Sequence, residues 1–77
     1  MSATLAYQPV IPPKHKTLGD DLKFILKQKF HLEEGAQRLK KSDIPYLQGL
    51  FDAGIKDAII LIDNLNKHGE VDVFLSY

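Results

Sequence analysis

Apolar residues recur at helical spacing through the middle of the chain and alternate with polar ones at its two ends. Leu18, Leu22, Ile25 and Leu26 share one stripe, while Lys23, Lys27 and Lys29 fall largely elsewhere, which predicts a helix over residues 18–30. Thr17, with Asp20 three residues on, resembles a capping box in which Asp replaces the usual Glu. Leu32, Ala36 and Leu39 continue the stripe and predict a second helical stretch over 31–41. Glu33 and Glu34 stand near its start and Arg38, Lys40 and Lys41 near its end, the order the helix dipole favours. Whether the two stretches break at Phe30–His31 or run on as one is open at this level.

Ser42 reads as the next cap, ahead of Pro45 in a first turn where a missing donor is harmless. Tyr46, Leu47, Leu50 and Phe51 form the apolar face of that helix, and Gly54 stops it. The last helix, 55–67, carries Ile55, Ala58, Ile59, Ile60, Leu61, Ile62 and Leu65. An arc that wide predicts burial on more than one side. Ile59, Ile62 and Leu65 are therefore expected to form the core with Leu22, Ile25, Leu47 and Leu50. Gly69 ends the helix, with Lys67 and His68 in its last turn.

Glu70 to Tyr77 alternates, with Val71, Val73, Leu75 and Tyr77 on one side and Asp72, Phe74 and Ser76 on the other. A lone strand leaves its backbone groups unpaired, so this one needs a partner. Inside the chain the candidate is the N-terminal segment, where Leu5 and Tyr7 suggest an edge strand over Thr4–Pro9. Pro9, Pro12 and Pro13 otherwise bias residues 1–16 towards an extended segment or a flexible tail. The fold expected is one small α+β domain over 17–77, mostly helical, with three to four short helices and a C-terminal strand.

Composition narrows the functions. The chain has 77 residues, ten Lys plus Arg, ten Asp plus Glu and no cysteine. Zero net charge argues against a nucleic-acid coat or a polybasic membrane anchor. Without cysteine there is no disulfide, thiolate metal site or cysteine nucleophile. No stretch is long enough to span a bilayer and no signal peptide is visible, so a cytoplasmic protein is expected.

Catalytic and metal-binding patterns are missing from the sequence. His15, His31 and His68 are scattered, with none at a metal-ligand spacing from another. The neighbours Asp20 and Asp21, like Glu33 and Glu34, diverge on a helix, and Asp57 and Asp63 fall on different faces. Ser2, Ser42 and Ser76 lack a His–Asp context, and no phosphate-binding glycine loop occurs. A non-enzymatic protein is expected, with no cofactor, metal or small-molecule substrate.

Two stretches hint at nucleic acid. Residues 32–51 loosely resemble a helix-turn-helix, and 50–62 resemble a helix-hairpin-helix joint able to receive a phosphate. The would-be recognition helix, however, carries Asp43 and Asp52 and no Lys or Arg, and Asp57 flanks the joint. Charge is more telling. Residues 1–41 hold eight Lys/Arg against four Asp/Glu, net +4; residues 42–77 hold two against six, net −4. Such polarity serves either complementarity between the halves or the steering of a charged partner. The leading expectation is a protein-interaction module, a regulator or inhibitor that binds a partner protein or itself. Its contact residues are taken as Lys23, Lys27, Arg38, Lys40, Lys41, Asp72, Phe74 and Tyr77. The alternative is a DNA-binding regulator working through residues 32–62.

Overall fold

The computed structural model describes residues 3–11 and 14–77. Ser2, Pro12 and Pro13, weighed above for chemistry and for backbone bias, lie outside them. In chain order the elements are β1 (Thr4–Pro9), β2 (Lys16–Thr17), α1 (Asp20–Phe30), β3 (Gln37–Lys40), α2 (Ile44–Asp52), α3 (Ala58–His68) and β4 (Glu70–Ser76). A 3-10 turn, Lys41–Asp43, leads into α2.

The four strands form one antiparallel sheet in the order β2-β1-β4-β3. Its register pairs Leu5 with Leu75, Tyr7 with Val73, and both Pro9 and Leu39 with Val71. Side chains alternate along a strand, so these residues share one face. The helices cover that face, α1 against β1 and α3 against β1 and β4. Leu22 and Leu26 of α1, Leu47 of α2, and Leu61, Ile62 and Leu65 of α3 fill the core, with Leu18 and Leu32 flanking α1. Ile59 and Leu50 pack partly buried against it, whereas Ile25 is half-buried and outside the cluster. Among the described residues no helix packs on the opposite face, which carries Thr4, Gln8, Arg38, Lys40, Asp72 and Phe74.

The predicted pairing of the two chain ends is present, but β1 is not an edge strand. β2 covers Ala6 and Tyr7 on its other side, and Pro9 ends the strand beyond the reach of β2. The molecule is also less helical than expected, because residues 37–40 are a strand. His31 takes a left-handed conformation (φ 54°, ψ 50°) and stops α1, which settles the break at Phe30–His31. Of the stripe that suggested a helix, Leu32 and Leu39 are buried but Ala36 is exposed. A period-two pattern with one apolar residue, Leu39, then fills the core from β3.

Three boundaries differ too. Thr17 lies in β2, and α1 begins at Asp20 with Gly19 at its N-cap. The Gly19 N–H donates to Asp57 Oδ2 at 2.7 Å, so a carboxylate 38 residues away takes the N-cap amide, the part expected of Asp20 in the capping box. Ser42 sits inside the 3-10 turn, where the Asp43 carboxylate accepts the Lys40 N–H at 2.9 Å. Ile55 precedes α3, and tight bonds such as Ala58 N–H to Ile55 O (3.1 Å) wind its approach. No helix among the described residues is long and apolar enough to cross a membrane.

Candidate functional site

The eight residues expected to meet a partner fall into two places. Lys23, Lys27 and Tyr77 come together at a groove of about 290 Å³ beside α1 and the end of β4. Phe24, Leu75, Ala3 and Glu33 complete its lining. Lys23 is only 7% exposed. Its ammonium donates to Ala3 O at 2.9 Å, lies 3.7 Å from Asp20 and sits 4.9 Å from the Phe24 ring centre. It therefore fastens the start of β1 to α1 as well as lining the groove. Lys27 meets Glu33 at 2.9 Å. Tyr77 and Phe24 are 89% and 58% exposed.

Arg38, Lys40, Asp72 and Phe74 lie on the uncovered sheet face, with Lys41 just beyond in the 3-10 turn. Arg38 donates from Nε to Asp72 Oδ1 (2.9 Å) and from Nη2 to Oδ2 (3.3 Å), and its Nη1 lies 3.7 Å from Glu70. The hydrogen bonds and charge of Asp72 hold the guanidinium above its ordinary pKa, with a smaller push from Glu70. These pairs join the positive half of the chain to the negative half, so part of the charge polarity is internal complementarity. Phe74 meets the His15 ring edge-on at 6.1 Å.

No family model, curated protein or solved structure matches this chain. Function has to be read from its own surface.

The features suggestive of nucleic acid lose their geometry. Residues 37–40 are a strand, so the first helix of a helix-turn-helix is not there. At the α2–α3 joint, Gly54 has φ +104°, as a chain reversal requires. The start of α3 carries Asp57, already bonded to Gly19, and faces Asp20 and Asp21 across a cleft of about 380 Å³. With three carboxylates against the single ammonium of Lys56, that rim is net acidic and disfavours phosphate. Among the described residues no three His, Cys, Asp or Glu side chains group as metal ligands.

Two features escaped the sequence. Phe24 falls off the Leu22–Leu26 stripe and reaches solvent, a position its helical phase could have revealed. The second is a cleft of about 390 Å³ between β1, β2 and α3. Tyr7, Pro9, Lys14 and Lys16 form one wall; Asp63, Asn64, Lys67 and His68 form the other. Its lysines come from opposite ends of the chain, so no local pattern announces them.

Proposed function

We propose that this chain is a non-enzymatic interaction module of the cytoplasm, acting as a regulator or inhibitor by seating an apolar side chain of a partner protein. The seat is the groove between α1 and the end of β4. The observation that supports this reading is the clustering of Phe24, Leu75 and Tyr77, two of them strongly exposed, between Lys23 and Lys27. Large apolar residues scattered singly on a surface are ordinary, whereas a cluster rimmed by charge marks a contact site. Aromatic anchors of this type dominate interface energetics, and truncating one typically costs about 2 kcal/mol or more. Because Lys27 already meets Glu33, the partner's contribution is apolar at the centre and charged only at the rim. The DNA-binding alternative has less support, since strand β3 and the acidic α2–α3 joint occupy the segment it needs.

A photo-crosslinking residue placed at position 24 or 77, and as a control at the exposed Gln48 of α2, tests the proposal. One partner is expected to crosslink at 24 and 77, not at 48, and to be lost from the variant Phe24→Ser. Equal crosslinking from all three positions would remove the groove from the account.

A further inference from the structure

Three of the ten basic residues are engaged in ion pairs, and three of the other seven converge in one cleft. Lys23, Lys27 and Arg38 make ion pairs. Lys14, Lys16 and Lys67 share the cleft between β1, β2 and α3, and among the described residues none of the three makes one. Their convergence follows from the fold. Lys16 pairs in register with Tyr7, whose side chain is buried on the helical side of the sheet, so Lys16 points to that side as well. Asn64, Lys67 and His68, three and four positions apart, lie on one face of α3 and meet it there. The Asn64 amide is occupied, donating to Ile60 O at 2.8 Å. One carboxylate, Asp63, lines the cleft against the three ammonium groups.

Like charges gathered in one concavity repel one another, and an anion entering between them removes the repulsion. We propose that this cleft is a seat for a small phosphate-bearing molecule. Lys14, Lys16 and Lys67 hold the phosphate oxygens as charge-assisted donors, with His68 beside them. Tyr7 and Pro9 supply an apolar wall for an organic body. The volume, about 390 Å³, lies in the range of roughly 300–1,000 Å³ usual for small-molecule clefts. The dipole at the end of α3 opposes an anion, but it is short-ranged and Lys67 already answers it. The seat shares no residue with the Phe24–Tyr77 groove, so the two proposals stand or fall apart.

Titration with pyrophosphate and, separately, with ADP, followed by amide chemical shifts, tests this. Saturable shifts are expected at Lys14, Lys16 and Lys67, weakening as salt is added. Lys16→Ala and Lys67→Ala should each weaken binding about tenfold, while Asp63→Asn tightens it. Lys29→Ala serves as the control, because Lys29 lies on α1 over the Tyr46 ring. Tighter binding of ADP than of pyrophosphate assigns the seat to an organic phosphate ester; equal binding assigns it to free phosphates; either supports the seat. No saturable shift with either probe, or shifts as large at Lys29 and Lys41, overturns it. Tighter binding of a single-stranded oligonucleotide than of both probes also overturns it and gives the lysines to a nucleic acid.

Discussion

Replacing Gly19 by alanine probes how the starts of α1 and α3 are joined. Gly19 has φ −72° and ψ 163°, a conformation open to any residue. At such a position Gly→Ala by itself stabilises by about 0.4–1 kcal/mol, because the unfolded chain has less freedom to lose. Here the new Cβ would stand 2.9 Å from Asp57 Oδ2, the same atom that accepts the Gly19 N–H. The carboxylate end can swing aside, but only by releasing the amide. A hydrogen bond to a charged group contributes about 1.5–3 kcal/mol, and the exposure of this one places it near the lower end. Losing about 1.5 and gaining 0.4–1 leaves Gly19→Ala destabilising by about 0.5–1 kcal/mol. That is a fall of a few degrees in Tm for a domain of this size. In the Asp57→Ala background no bond remains to be lost, and the same substitution should stabilise by about 0.4–1 kcal/mol. The sign therefore reverses between backgrounds, with a coupling of about 1.5 kcal/mol in the four-protein cycle. Thermal and urea unfolding followed by circular dichroism measure all four. If Gly19→Ala stabilises both backgrounds equally, Asp57 does not hold the Gly19 amide, and the argument for this cap fails.

Two further substitutions test the core and the end of α1. Ile62 is 5% exposed, and Ile62→Ala should cost about 2–5 kcal/mol, read from the urea midpoint; an unchanged midpoint would place Ile62 outside the core. His31→Gly frees a Cβ from a left-handed backbone, worth about 1–2 kcal/mol, against about 0.5–1 kcal/mol of extra unfolded-chain freedom. A rise in Tm is expected, and a fall would mean that the imidazole makes a compensating contact.

The elements read from sequence are those whose pattern is local and long. Leu22 and Leu26 mark α1, Leu61, Ile62 and Leu65 mark α3, and alternation from Val71 to Leu75 marks β4. The partner of β4 was legible because Leu5 and Tyr7 repeat the same period. β3 was not. Four residues with one buried side chain carry too little period to compete with the helical spacing of Leu32, Ala36 and Leu39, and only pairing with β4 makes them a strand. β2, two exposed residues long, is likewise created by its neighbour. Among the eight residues assigned to a partner, Lys23, Lys27, Arg38 and Asp72 are engaged in ion pairs within the chain, and pairing of that sort depends on tertiary geometry. The lysine-lined cleft was missed for the same reason, whereas the exposure of Phe24 follows from its helical phase alone.

The pairing of β1 with β4 also governs when the molecule can form. During synthesis β1 leaves the ribosome with Leu5, Ala6 and Tyr7 unshielded, and its long partner follows only about sixty residues later. β2 offers only two residues of pairing in the interval. Joining Pro9 to Val71 closes a loop of about sixty residues, whose entropy must be lost before the contacts reward it. The sheet therefore closes late, and a nascent chain still lacking Glu70–Ser76 has β1 but not the strand that α3 also packs on. Through that window the first strand is the segment open to chaperones, proteases and other unfinished chains.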